Sequence, residues 1–159
     1  MRCALLSIGL VLTLGSGGTA QTQLPTKRVL TLEAAKRLVA GAEAEARKNS
    51  WAVSIAVLDD SGQLILFERM DGAKLVATDI AIRKARTAVY FQGETRGLEE
   101  EVTKGGRTAL LPIEGFMPLE GGIPISVGGQ MVGAIGVSGM SGAQDAQCAQ
   151  AGIAALGLR

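Results

Sequence analysis

The sequence contains no histidine, and this absence removes much of the chemistry that proteins perform near neutral pH. Without an imidazole there is no Ser-His-Asp triad, no histidine general base and none of the commonest ligand for metals and haem iron. Nucleotide-binding loop motifs and the serine turn of hydrolases are also missing. We therefore expect a chain that binds a small molecule and is not an enzyme, unless an external cofactor supplies the reactive atom.

Aromatic residues and cysteines are scarce as well. Because only 3% of the 159 residues are aromatic, Ala, Val, Ile and Leu must build the single core that a chain of this length can form. One of the two cysteines, Cys3, lies in the leader described next, which leaves Cys148 without a partner for an internal disulfide. A lone thiol cannot form a thiolate zinc site; burial in an alanine-rich helix is favoured over a reactive or intermolecular role.

The first 20 residues predict a secretory signal peptide. Arg2 provides a positive start, residues 4–14 are an apolar run, and small residues precede Ala20. The run is shorter than the roughly 20 residues of a membrane span, so we expect cleavage after Ala20 and a secreted or periplasmic protein without a membrane span. Losing Arg2 lowers the count of basic residues from 16 to 15, equal to the 15 acidic ones. This balance favours neither nucleic acid nor an anionic membrane as a partner.

Hydrophobic periodicity predicts one domain over residues 31–159, after a flexible lead-in over 21–30. Apolar residues at helical spacing predict helices over 32–48, 76–91, 95–104 and 141–156. Alternating or β-branched runs predict strands over 51–58, 63–69, 123–127 and 131–137. Hairpins separated by helices give an antiparallel sheet with helices on its faces, which is an α+β fold. The small residues on one side of the first strand indicate that a helix packs closely there.

The glycine-rich stretch from Leu119 to Gln144 is the most informative part of the chain. Gly128-Gly129 separates its two apolar runs and can take the positive φ angles of a two-residue hairpin turn. Gly121-Gly122 leaves bare backbone where another chain or a ligand could approach closely. Ser141 and Gln144 have the spacing of a helix-capping box. The last glycines therefore form a strand-to-helix turn and not a phosphate-binding loop.

Two charged stretches are explained most simply as polar faces of helices. In the second helix, the polar side opposite the alanine stripe is predicted to carry Asp79, Arg83, Lys84 and Arg86. In the third helix, Glu99-Glu100-Glu101 could hold a cation, but a run of charges on a helix is usually a solvated face.

Five stretches of sequence together resemble the GlcG/HbpS-like family of small haem- and corrinoid-binding proteins, which includes the C-terminal domain of PduO-type proteins. They extend, in unbroken order, over nearly all of the chain after the leader. The stretches are Leu-Thr-Leu-Glu-Ala-Ala-Lys at 30–36, Phe-Glu-Arg-Met-Asp-Gly-Ala at 67–73, Asp-Ile-Ala-Ile-Arg-Lys-Ala-Arg-Thr-Ala at 79–88, Glu-Gly-Gly-Ile-Pro-Ile at 120–125 and Val-Gly-Ala-Ile-Gly-Val-Ser-Gly at 132–139.

The resemblance implies a profilin-like α/β/α sandwich with a central antiparallel sheet, assembled as a homo-oligomer. It implies haem as the ligand, with a corrinoid such as cobalamin as second choice, and a role in haem sensing, storage or degradation. Carried over residue by residue, the candidate ligand-binding positions are Arg69, Met70, Asp71, Asp79, Arg83, Lys84, Gly121, Gly122 and Pro124.

The missing histidine sets this chain apart from relatives that use one as a haem ligand. A haem iron would need Met, Cys148, Tyr90, Lys or water, or the tetrapyrrole would be held by apolar contact and by pairing of its propionates with arginine. The alternative is an oligomeric accessory protein of an oxidation pathway that binds a small organic acid or a partner enzyme without haem.

Overall fold

The structure, a computed structural model, describes residues 23–157, so the predicted signal peptide lies outside the described residues. All four predicted helices and all four predicted strands are present, with ends displaced by at most three residues. A short 3-10 turn at Thr108–Leu110 lies before β3. In chain order the elements are α1 (Leu32–Lys48), β1 (Ser54–Asp59), β2 (Leu64–Arg69), α2 (Leu75–Phe91), α3 (Thr95–Thr103), β3 (Gly122–Val127), β4 (Gln130–Ser138) and α4 (Gly142–Ala154).

The four strands form one antiparallel sheet in the order β2-β1-β4-β3. Helices α1 and α4 pack against each other and cover one face of this sheet, and α2 covers the other face. The predicted α+β fold, an α/β/α sandwich around an antiparallel sheet, is therefore confirmed. Pro124 lies in the edge strand β3, where a missing backbone N–H is tolerated.

Strand alternation separates the core into two layers. In β1, Ile55 and Val57 face α1 and α4, whereas Ala56 faces α2. The α2 side is packed backbone against backbone: a Cβ added at Gly136 would overlap the carbonyl oxygen of Ala81 and lie 2.6 Å from the backbone nitrogen of Ala85. The close approach of a helix to the small-residue face, predicted from the first strand, is confirmed.

Local signals in the sequence explain the ends of the elements. Thr31 Oγ1 accepts a hydrogen bond from Ala34 N at 3.2 Å and caps α1. At the start of α4, Ser141 N donates to Gln144 Oε1 at 3.2 Å, which confirms the predicted capping box. Gly128 and Gly129 have φ angles of 60° and 79°, as the predicted two-residue turn requires.

The end of the lead-in has no helix or strand but contacts both the β1–β2 hairpin and the β3–β4 hairpin. Lys27 Nζ lies 2.8 Å from Asp60 Oδ2. Arg28 Nη1 donates to the carbonyl oxygen of Val127 at 2.8 Å. Leu30 packs against the core. Leu30 thereby places the end of the lead-in on the face of the sheet that α1 and α4 cover. Within residues 23–157, no helix has the length and apolarity needed to cross a membrane.

Cys148 is fully buried in α4, as the alanine-rich context predicted, and it is a free thiol. Burial, with smaller contributions from Asp145 and Glu45, raises the pKa of the Cys148 thiol to about 11. The thiolate, which is the nucleophilic form, is therefore almost absent at neutral pH.

We expect Cys148 to resist alkylation in the native protein. A raised pKa and zero exposure should slow labelling by iodoacetamide at mildly alkaline pH by at least about a hundredfold relative to the same chain in denaturant. Mass spectrometry of the protein expressed from Gln21 would measure the rate, because Cys148 is then the only thiol. Equal labelling in native and denatured samples would show that the thiol is accessible.

Candidate functional site

Lys84 is the predicted site residue whose position differs most from expectation. Instead of lying on the polar side of α2, its side chain is 3% exposed, and its ammonium donates to Asp145 Oδ2 at 2.9 Å and to the carbonyl oxygen of Val137 at 3.0 Å. The prediction of an exposed Lys84 is wrong because Lys84 lies three residues after Ala81 and therefore shares the buried alanine stripe of α2.

Asp145, the partner of Lys84, was not among the site residues predicted from the sequence. It lies in the first turn of α4, 61 residues from Lys84, and its other carboxylate oxygen accepts a hydrogen bond from Met140 N at 3.0 Å. Burial raises the pKa of Asp145 above its usual range, although the ammonium of Lys84 and the backbone donors pull it down. Lys84 and Asp145 thus form a buried ion pair that joins α2 to α4.

The predicted glycines lie directly against this ion pair. A Cβ added at Gly121 would be 2.9 Å from Lys84 Nζ and 2.8 Å from the carbonyl oxygen of Val137, and Gly121 has a φ of 123°. A Cβ at Gly122 would overlap the backbone of Lys84. The structure therefore brings Gly121, Gly122 and Lys84 together, with Gly121 packed against the ammonium and Gly122 against the backbone of Lys84.

A cavity of about 270 Å³ opens beside the ion pair, and we name it the Lys84 pocket. Its inner end is formed by the buried side chains of Lys84, Asp145 and Ser138. Its outer end is formed by the less buried Glu99 and Glu120. The lining residues are Ile80, Lys84, Glu99, Leu119, Glu120, Ser138, Met140, Gly142 and Asp145.

Two other predicted residues, Asp79 and Arg83, lie on the outer side of α2. They pair at 3.5 Å, and Arg83 Nη2 donates to the carbonyl oxygen of Phe116 at 3.3 Å. They line a polar cleft of about 640 Å³, here named the Tyr90 cleft. Its lining residues are Gln63, Asp79, Arg83, Arg86, Tyr90, Glu114 and Gly115.

The remaining predicted residues lie apart from both cavities. Arg69 is the exposed last residue of β2, Asp71 is exposed in the following turn, and Met70 donates its N–H to the carbonyl oxygen of Val53 at 3.0 Å. Strand β2 is at the opposite edge of the sheet from β3. Arg69, Met70, Asp71 and Pro124 are not among the residues that line the Lys84 pocket or the Tyr90 cleft.

A third cavity, of about 400 Å³, is mainly apolar and is named the apolar cleft. It lies between the lead-in, α1, the β3–β4 hairpin and the end of α4. Its two charged residues are Arg28 and Arg37; Arg37 Nη2 donates to the carbonyl oxygen of Ala155 at 2.8 Å. The lining residues are Arg28, Val29, Leu30, Thr31, Ala34, Arg37, Val127, Val132 and Leu156.

The apolar cleft fits a tetrapyrrole in one respect and not in another. Its apolar walls suit the macrocycle and its arginines suit the propionates, but no Met, Cys, Tyr or Lys lines it to bind an iron. Tyr90 belongs to the other cleft, Cys148 is buried and Lys84 is paired. Within residues 23–157, no cluster of three or more His, Cys, Asp or Glu side chains could hold a metal ion.

These features define a class of protein: a small α/β/α sandwich on a four-stranded antiparallel sheet, with clefts at its edges. The sequence profile of the family described as "Haem degrading protein HbpS-like" matches residues 30–154. The chain belongs to this family.

Known proteins are similar to it in sequence and in fold. Protein GlcG of Escherichia coli strain K12 is 47% identical over 113 residues, which are 71% of this chain and 84% of GlcG. A double mutant of Streptomyces reticuli HbpS has a TM-score of 0.77 and 37% identity, covering 87% of this chain and 96% of that chain. The haem complex of PduOC has a TM-score of 0.76 and 29% identity, covering 83% and 98% of the two chains.

Proposed function

We propose that this protein binds haem or a related tetrapyrrole in the apolar cleft. The observation that carries the proposal is the combination of apolar walls with two arginines in one cavity. Two comparisons support it: the description of the family names haem degradation, and the structure of PduOC has been solved as a haem complex.

The walls of the apolar cleft supply the hydrophobic part of the binding energy. Burial of apolar surface contributes about 25 cal/mol per Å². The volume of about 400 Å³ lies in the usual range for small-molecule sites, and the mouth leaves room for the propionate edge to face solvent. The apolar walls are Val29, Leu30, Ala34, Val127, Val132 and Leu156.

Arg28 and Arg37 supply the polar part. A guanidinium has five N–H donors, and each of these arginines uses only part of that set on carbonyl oxygens. The remaining donors can bind a carboxylate with two charge-assisted hydrogen bonds. This arrangement favours a ligand with an apolar body and carboxylate groups at one edge.

The chemistry that haem supplies when bound is the redox chemistry of its iron, and no residue of the apolar cleft is suited to bind that iron strongly. Thr31, its one hydroxyl residue, already accepts a hydrogen bond from Ala34 N. The chain's own residues would hold the macrocycle and its propionates. Affinity should therefore depend little on the metal.

Titration with hemin tests the proposal. We expect a saturable Soret shift, and we expect metal-free protoporphyrin IX to bind within about threefold of hemin, because apolar contacts and arginine pairing carry the affinity. Arg37→Gln and Arg28→Gln should each weaken binding about tenfold. The matched control is Arg83→Gln, which removes an arginine from the Tyr90 cleft.

Three results would contradict the proposal. Flat titrations at micromolar hemin would exclude haem as the ligand. Loss of binding in Arg83→Gln or Tyr90→Phe, but not in Arg37→Gln, would move the site to the Tyr90 cleft. Much weaker binding of the metal-free porphyrin would show that an iron ligand is essential. A corrinoid, the second choice, is titrated in the same series.

Arg83 and Arg86 in the Tyr90 cleft favour a second candidate function, the binding of a small organic acid or of a partner enzyme without haem. Two guanidinium groups in one polar cleft suit a small dicarboxylate. A panel of small acids would raise the melting temperature by mass action if one of them is a ligand, and Arg86→Gln should abolish that rise.

We also propose export to the periplasm or the medium and assembly into a homo-oligomer. The support for export is the leader sequence, which lies outside the described residues. N-terminal sequencing of the protein from its host would show whether the mature chain begins at Gln21. Native mass spectrometry of the same sample would give the number of subunits and the mass of any bound ligand.

A further inference from the structure

The Lys84 pocket shares no lining residue with the apolar cleft or the Tyr90 cleft, and the proposed haem site leaves it unused. We propose that it is a second binding site, and that its ligand is a small amino alcohol, a compound with one ammonium and one hydroxyl group.

The charge of the lining selects against anions. Lys84 and Asp145 neutralise each other at 2.9 Å, so Glu99 and Glu120 leave the pocket with an excess of two negative charges. Arg96 approaches Glu120 at 4.0 Å; its side chain is 65% exposed and lines a neighbouring cavity that shares Glu99 and Glu120, but it does not line the Lys84 pocket. A cation is therefore attracted and a small carboxylate is repelled.

The ion pair decides which end of the ligand enters first. The ammonium of Lys84 lies at the inner end and repels a second ammonium, so the cationic group belongs at the outer end, between Glu99 and Glu120. Glu99 is already held there, because its Oε2 accepts a hydrogen bond from Glu120 N at 2.7 Å. This bond leaves its second carboxylate oxygen for a ligand.

Groups at the inner end suit a hydroxyl. Lys84 has three N–H donors and uses two of them, on Val137 and Asp145. The side chain of Ser138, which is 5% exposed, lines the same end. Ser54 lies directly opposite Ser138 on β1, is fully buried, and has a hydroxyl without a hydrogen-bond partner. Ser54 does not itself line the pocket, so the spare N–H of Lys84 and the hydroxyl of Ser138 are the groups that a ligand hydroxyl, which both donates and accepts, would meet.

The volume sets the size of the ligand. About 270 Å³ holds roughly nine water-sized groups, since one water occupies about 30 Å³ in the liquid. An amino alcohol of two to five carbons fits this space, and its methylene groups would lie against Ile80, Leu119 and Met140. A tetrapyrrole is too large for this cavity.

Four probes of nearly equal size test the proposal by isothermal titration calorimetry on the mature chain. They are 4-amino-1-butanol, 1,4-butanediol, butylamine and 4-hydroxybutyrate. We expect the amino alcohol to bind at least about tenfold more tightly than the diol, which lacks the ammonium, or the amine, which lacks the hydroxyl, and we expect no binding of the hydroxy acid.

Variants assign the binding to the pocket. Glu120→Gln should weaken amino alcohol binding about tenfold, and Ser138→Ala about fivefold. Glu100→Gln is the control, because it makes the same charge change at a residue that does not line the Lys84 pocket. Hemin binding should not change in any of the three, so failure here is distinguishable from failure of the haem proposal.

Several outcomes would overturn the assignment. The absence of heat with every probe at millimolar concentration would show that the pocket binds no such ligand. Tighter binding of 4-hydroxybutyrate would reverse the expected charge selection. Magnesium binding that is lost in Glu120→Gln, with no response to the amino alcohol, would make the outer carboxylates a cation site instead.

Discussion

Replacing Lys84 with methionine is expected to lower the free energy of unfolding by about 3–5 kcal/mol, because it leaves the carboxylate of Asp145 buried without its partner. Both side chains of the pair are almost inaccessible, at 3% and 2% exposure, so solvent cannot take the place of the ammonium. Urea unfolding of both proteins, followed by circular dichroism, measures the difference.

The loss in Lys84→Met should shrink as the pH is lowered. Burial raises the pKa of Asp145 in the folded state, so the folded protein holds this proton more tightly than the unfolded chain. Stability therefore falls as pH rises from the unfolded pKa of Asp145 through its folded pKa. Without Lys84 the folded pKa rises further, and the window of falling stability extends towards neutral pH. An equal loss at neutral and mildly acidic pH would contradict this explanation.

Two further variants separate the lost charge pair from lost packing. In Lys84→Met combined with Asp145→Asn, a neutral amide replaces the unpaired carboxylate and can still accept the hydrogen bond of Met140 N. We expect the double variant to recover about half of the stability that Lys84→Met alone loses. Arg83→Met, one residue away, breaks the pair of Arg83 with the largely exposed Asp79 and the 3.3 Å hydrogen bond to the carbonyl oxygen of Phe116, and should cost less than about 1 kcal/mol.

Gly136→Ala is expected to destabilise the fold by about 3 kcal/mol through overpacking. The added Cβ would overlap the carbonyl oxygen of Ala81 and lie 3.0 Å from the Cβ of Ala85, so the backbone of α2 would have to move away from β4. A flexible side chain could rotate aside, but a helix backbone cannot. The expected result is a lower urea midpoint with an unchanged slope.

The matched control is Gly97→Ala in α3. No atom outside its own helix lies within 4 Å of a Cβ at Gly97, and alanine favours a helix over glycine by about 1 kcal/mol. This variant should therefore be as stable as the parent or more so. A destabilisation of Gly97→Ala equal to that of Gly136→Ala would show that the loss comes from glycine replacement in general, and not from the contact of α2 with β4.

Much of the fold could be predicted because its signals are local. The cap at Ser141, the turn at Gly128-Gly129 and the periodicity of α1 each depend on residues within a few positions of one another. The burial of Lys84 could have been predicted as well. It lies three residues after Ala81 and four before Ala88, on the same side of α2 as the alanine stripe.

The candidate sites were harder to predict because they depend on distant contacts. Arg28, Arg37 and Leu156 meet in the apolar cleft only after the lead-in and the end of α4 pack beside α1. No spacing in the sequence indicates that Asp145 is the partner of Lys84. The predicted corner at Arg69 and the predicted loop at Gly121 lie near strands at opposite edges of the sheet.

The sequence by itself determined the class of fold, the family and the limits on chemistry. Periodicity and turn residues specify helices and strands locally, and the lack of histidine holds in any conformation. Only the tertiary structure decided that Asp145 is the partner of Lys84, and that Glu99 lines the Lys84 pocket while Glu100 does not. The physical reason is that burial and pairing depend on which elements pack together, and packing joins residues that the chain keeps far apart.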